Sequence, residues 1–134
     1  MRYAWGLVLV PALLLESSSD SRAAPAAGRL PAATAQDTTA ITSADVDLGR
    51  AIFHGKGTCF ACHGARLEGT QIAPTLKNHK WRDAKNGQFD EIFRVVTQGV
   101  PSTVMVQLPG SISRAEALNV ASYVWSVNNR GAKP

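Results

Sequence analysis

The chain has 134 residues, enough for one modest domain and too few for a second independent core. Its 14 Lys and Arg against 10 Asp and Glu give a formal charge of +4. The cations concentrate only between Leu76 and Lys85, where Lys77, Lys80, Arg82 and Lys85 meet Asp83. With no repeat of basic and aromatic residues, this leaves a nucleic-acid binder without support and makes the run a solvated loop, or a surface facing an anion or an acidic partner.

At the amino terminus, Arg2 precedes an apolar run from Ala4 to Leu15 that contains Pro11 and gives way to polar residues at Glu16. The run is shorter than the ~20 residues that span a bilayer. It reads as a secretory signal peptide over residues 1–23, with cleavage after Ala23 or, alternatively, Ala26. Retention as an uncleaved anchor is the other outcome. Loss of the segment removes Arg2, Arg22, Glu16 and Asp20 together, so the charge stays at +4. Export to the periplasm, or otherwise out of the cytoplasm, puts both cysteines where free thiols do not persist as such, so they need a bond partner. Residues 24–42, rich in Ala, Pro and Thr, read as a flexible linker. The folded domain is expected over residues 43–130, with 131–134 as a short tail.

Within that domain the spacing predicts three helices. The first covers Ser43 to Phe53, capped by Thr42 or Ser43, with Asp45 and Asp47 at the positive end of its dipole and Leu48, Gly49, Ile52 and Phe53 at helical spacing. Gly49 is expected where another helix passes closely, with Tyr123 or Trp125 filling the gap. The second, Gln88 to Gln98, carries Phe89, Ile92, Phe93 and Val96 on one face and Gly99 as its terminator. The third opens on a Ser113 and Glu116 capping box, continues through the stripe Ala117, Val120, Ala121, Val124 and Val127, and ends at Arg130 and Gly131. The connections 64–87 and 100–112 are long for so small a domain, and helices joined this way bury a poor core by themselves. They need something to wrap.

The candidate is in Cys59-Phe60-Ala61-Cys62-His63. A structural zinc site needs four ligands, and His54 and His79 do not complete one with the two cysteines. A redox dithiol normally follows a strand, whereas Cys59 follows a helix and a glycine-rich turn. A plain disulfide closes a tiny loop and leaves His63 unexplained. Covalent haem accounts for all three residues: two thiols add to the porphyrin vinyl groups, and the adjacent imidazole reaches the iron. Electron-transfer iron then wants a sixth ligand, and methionine sulfur raises the potential. Met1 departs with the signal peptide, so Met105, in the connection after the second helix, is the methionine candidate. His79 is the runner-up, an open or water-ligated iron comes third, and His54 is expected to be exposed.

In order along the chain, the LGRAIF segment, the CFACHG site, Ile72 to Leu76, the QGVP turn, Met105 and the closing ISRAEALNVASYVWSV helix resemble the small class I c-type cytochromes of bacteria, over roughly Ser43 to Arg130. The resemblance implies an all-α cytochrome c fold, with three main helices and long loops wrapped around one covalent haem c. It also implies thioether bonds from Cys59 and Cys62, iron ligation by His63 and Met105, the Pro74 carbonyl on the His63 imidazole, Gly49 packed against Tyr123, and Trp81 near a haem propionate. Many relatives place a proline directly after the methionine, where this chain has Val106 and reaches proline only at Pro109. The implied function is one-electron carriage for a redox partner protein such as a dehydrogenase, reductase or oxidase, with electrons crossing near Phe60 and Ala61. Free carrier and subunit of such a complex are the two forms this function takes. A haem enzyme or gas sensor with a displaceable sixth ligand is the alternative.

Overall fold

The computed structural model describes residues 37–77 and 81–134. The expected signal peptide, most of the linker, His79 and Lys80 lie outside the described residues. Four α-helices follow in order: α1 Ser43–His54, α2 Phe60–His63, α3 Phe89–Gln98 and α4 Arg114–Asn129. Short 3-10 turns stand at Thr38–Ala40, Lys85–Gly87 and Pro109–Ser111, and no strand occurs among the described residues.

Helix α1 starts on Thr42, whose hydroxyl accepts from the Asp45 amide at 3.2 Å while the Asp45 carboxylate accepts from the Thr42 amide at 2.8 Å. This reciprocal pair satisfies two of the amides that a helix start leaves open. Helix α4 repeats the device with Ser113 and Glu116, at 2.7 and 3.2 Å. Helix α3 stops at Gly99, whose φ of 72° is open to glycine and costly for other residues.

The core forms where α4 packs against α1 on one side and α3 on another. A Cβ at Gly49 would overlap the Asn119 carbonyl oxygen and lie 2.8 Å from the Tyr123 Cβ. The absence of a side chain there is what lets the two backbones cross. Beside the crossing, the Phe53 and Tyr123 rings meet edge to face, 5.6 Å between centroids. Leu48 does not share this contact; it lies one helical step off the Gly49–Phe53 face and stays 54% exposed. Of the expected stripe, Ala117, Val120, Ala121 and Val124 are buried and Val127 is half-buried, and Ser122, Tyr123 and Ser126 are buried as well. Because α4 is covered on two flanks, its burial exceeds what a single apolar stripe indicates.

Two arginines tie the flanking segments to the helices. Arg130, at the α4 terminus as expected, also donates to the carbonyls of Ile41 at 2.9 Å and Thr38 at 2.5 Å and stacks on Trp125. Arg50 donates to the Lys133 carbonyl at 2.9 Å. The Thr38–Ala40 turn and Ile41 are thereby tied to α4, and Lys133 to α1.

Replacement Gly49→Ala is expected to lower unfolding stability by about 2 kcal/mol or more, because the overlap outweighs the ~1 kcal/mol that alanine gains in helix propensity. Chemical denaturation checks it. The Lys56 ammonium and the Ser113 amide hold the Glu116 carboxyl down from 4.5 to about 2. Its contribution to stability is thus complete above the ordinary carboxylate value and is lost as pH falls from about 4.5 to about 2. Acid denaturation of Glu116→Gln should lack that part of the pH dependence.

Candidate haem site

The turn after α1 delivers the paired cysteines. Gly57 donates back to the Ile52 carbonyl at 2.9 Å, Thr58 adopts a left-handed φ of 51°, and α2 follows as a single turn that spaces Cys59, Cys62 and His63 around its axis. The carbonyls at the end of this turn are taken up by the next loop: Thr70 Oγ1 donates to Cys62 at 2.7 Å and the Gly69 amide donates to His63 at 2.7 Å. The loop then closes on Leu67, a fully buried residue with φ of 62°, whose carbonyl accepts from the Leu76 amide at 2.8 Å and the Thr75 hydroxyl at 2.9 Å. That closure presents Pro74 to the imidazole. His63 Nδ1 lies 2.9 Å from the Pro74 carbonyl, and since a carbonyl only accepts, Nδ1 carries the proton and Nε2 keeps its lone pair.

Cys59, Cys62 and His63 line a cleft of about 310 Å3 together with Pro74, Trp81 and Met105. Phe53, Leu76, Ile92, Val96, Val120 and Val124 add apolar walls from α1, α3, α4 and the loop after α2. Burial lowers the His63 pKa, with the Pro74 hydrogen bond opposing it, which favours the neutral imidazole that binds metals. Burial pushes the Cys59 thiol up to about 11. A redox dithiol depends on a lowered thiol pKa, so this environment runs against that reading. Among the described residues, no group of three or more His, Cys, Asp and Glu side chains is placed to hold a metal ion. Cys59 and Cys62 are not joined to each other.

The site therefore fits a covalent haem on its own chemistry: two adjacent thiols, a neutral imidazole oriented from behind, a thioether and a dry apolar lining converge on one cleft. Trp81 packs over Gly87, where a Cβ would overlap its indole nitrogen. Its loop is held by Arg94, which donates to the Asp83 carbonyl at 2.6 Å and to Glu91 at 2.7 Å. Two cations of the basic run are already paired, Arg82 with Asp83 and Lys85 with Glu91. His54 is exposed and does not line the cleft, whereas His79 lies outside the described residues. Phe60 and Ala61 do not line the cleft either; its exposed border is formed by Ile72, Val104 and Val106. Sequence reasoning missed Gly69, Thr70 and Leu67 as supports of His63. A glycine and a threonine soon after the histidine were visible, but nothing local signalled their long-range partners.

The family model described as cytochrome c oxidase, cbb3-type, subunit III matches residues 44–124. Among solved structures, cytochrome cL of the marine methylotroph Methylophaga aminisulfidivorans is similar at 25% identity and a TM-score of 0.55, covering 65% of this chain and 58% of that one. Cytochrome cL of Hyphomicrobium denitrificans gives 20% identity and a TM-score of 0.54, covering 63% and 48%. A chain of the reducing HAO-like protein complex of Kuenenia stuttgartiensis gives 20% and 0.55, covering 66% and 46%. The chain thus spans about half the length of these structural neighbours, which share its cytochrome c fold. No curated protein matches it.

A Cβ on Gly69 would overlap the Thr75 amide and lie 2.8 Å from the Pro74 carbonyl carbon. Gly69→Ala, at φ of 83°, should therefore displace the Pro74 carbonyl from His63 and destabilise the protein by about 2 kcal/mol. Faster solvent exchange of the His63 Nδ1 proton, read by NMR, is the specific signature. An unchanged exchange rate would separate Gly69 from the imidazole.

Proposed function

The chain belongs to the cytochrome c family described as cytochrome c oxidase, cbb3-type, subunit III, and from that premise we propose that it is an exported one-electron carrier with His63 and Met105 as axial ligands. This family binds covalently attached haem c, and Cys59 and Cys62 stand at its paired cysteine positions. When bound, the haem supplies the chemistry, a one-electron cycle between ferric and ferrous iron. The observation that carries the reading is the shared cleft: the Cys59–His63 turn and Met105, from the distant connection between α3 and α4, line one largely apolar space.

Each residue then has a distinct task. Cys59 and Cys62 anchor the group by thioether bonds. His63, with its proton committed to Pro74, offers Nε2 in a fixed orientation and with raised basicity. Met105 would hold the iron through its thioether sulfur, which raises the potential. With His63 and Met105 both holding the haem, no open position would be left for a substrate, which separates carriage from catalysis. Phe53, Ile92, Val96, Val120 and Val124 keep water from the buried side. Trp81 closes the cleft along the loop that Arg94 holds, the position proposed to meet a propionate.

At the border of the cleft, Ile72, Val104 and Val106 are 64%, 67% and 60% exposed. The redox partner is proposed to meet this apolar border. Such an encounter needs only a small, short-lived interface. No helix among the described residues is long and apolar enough to cross a membrane. Export rests on the amino-terminal segment alone.

The test is the absorption spectrum of the haem-loaded protein in both redox states. A ferric sulfur-to-iron charge-transfer band is expected in the wild type and should vanish in Met105→Ala, while mass spectrometry shows covalent haem retained in both. High-spin iron that binds carbon monoxide readily in the wild type would overturn the carrier reading in favour of a haem enzyme or sensor.

A further inference from the structure

The loop that carries Met105 is pinned at both stems. At its start, Gly99 leaves room for the Met105 carbonyl, which a Cβ would approach to 2.6 Å, and the Val100 amide donates to that carbonyl at 2.9 Å. The Leu108 amide donates to the Val96 carbonyl of α3 at 2.9 Å, which draws the returning strand of the loop against the helix it left. At its end, Gly110 has a φ of 65°, and a Cβ there would overlap the Lys56 carbonyl oxygen and lie 3.2 Å from the Gly57 Cα. The returning loop therefore rests on the turn that delivers Cys59. Lys56 grips the same stem from a second side, since its ammonium lies 3.0 and 2.9 Å from the two carboxylate oxygens of Glu116, in the first turn of α4.

We propose that Lys56 and Gly110 are positioning residues for the sixth ligand: their contact fixes the Met105 loop against the cysteine-bearing turn, so that sulfur and imidazole enter the cleft in one register. This inference rests on the reading of Met105 as a ligand. The coupling is physical and short. Two residues separate Lys56 from Cys59, and the loop meets Lys56 just five residues after Met105. Gly57 and Gly110 line the same cleft as both. Val106, directly after the methionine, places no ring restraint on the backbone φ there. The contact at Gly110 supplies a restraint from further along the loop.

The contributions differ in size. The backbone contact is close packed, and forcing a side chain into it has no cheap relief because the obstructing atom is a main-chain carbonyl. The ion pair is partly exposed, with side chains 52% and 29% accessible, so its share is small and falls with salt.

The experiment is imidazole titration of the ferric, haem-loaded protein, in which imidazole competes with Met105 for the iron, alongside the charge-transfer band and the reduction potential. Gly110→Ala is expected to raise imidazole affinity roughly tenfold or more and to weaken the band. Should Gly110→Ala fail to accumulate as folded protein, Lys56→Met serves instead. It should raise affinity by up to about fivefold at low salt, with Lys56→Arg restoring the wild-type value. Glu116→Gln, which keeps the capping box but not the charge, should match Lys56→Met. A fall in thermal stability with unchanged imidazole affinity, band and potential would overturn the positioning role and leave the Met105 reading intact. A wild type without the charge-transfer band would overturn both.

Discussion

The backbone crossing at Gly49 is the constraint from which the rest of the structure follows. Because α1 and α4 meet there without a side chain between them, the end of α1 is held at a fixed distance from α4, and the turn bearing Cys59 and Cys62 begins where α1 ends. Phe53 and Tyr123 extend the crossing into the core, and α3 packs on the other flank of α4. The helices thus form three sides of a space that they do not fill. On the α3 and α4 sides the cleft walls are short aliphatics, Ile92, Val95, Val96, Val120 and Val124, while Phe53 and Trp81 are the large rings of the lining.

Two long loops complete the enclosure, and their order is built from polar contacts more than from apolar burial. After α2, the carbonyls of Cys62, His63 and Leu67 each find a donor within the loop, and Asn128 reaches from α4 to the Leu76 carbonyl at 2.8 Å. The result is a chain segment with little regular structure whose one functional outcome, the Pro74 carbonyl behind His63, is held on several sides. Left-handed backbone at Thr58, Leu67 and Leu108 belongs to the same pattern. Such conformations cost about 1–3 kcal/mol each for residues other than glycine, and they persist only where the surroundings over-determine them.

Much of this was legible in the chain because the signals were local. The Ser113–Glu116 capping box, a cap for α1 at Thr42 or Ser43, the stop at Gly99, and the aliphatic spacing in α3 and α4 all depend on residues within a turn or two of one another. Cys59, Cys62 and His63 were legible for the same reason, and the gap they imply explained the two long loops. What resisted reading was set by distance. Arg130 ends a helix as its terminal cation, and only the fold shows that its guanidinium also reaches the carbonyls of Thr38 and Ile41, just before α1. Leu48 shares the helical spacing of a core residue but faces outward, since the glycine beside it, not the leucine, marks the buried line. Lys85 reads as a free surface charge, and only the folding of its loop over α3 brings it to the carboxylate of Glu91.

The two arginine staples also tie the fate of one end of the domain to the other. Arg130 holds the Thr38–Ile41 carbonyls, and Arg50 of α1 holds the carbonyl of Lys133, so the segment before the first helix and the segment after the last each depend on a residue belonging to the opposite end. Fraying is ordinarily an independent event at each extremity of a fold. Here a protease that trims past Asn129 removes Arg130 and loosens the entry to α1 as well, so the two margins of the domain open together.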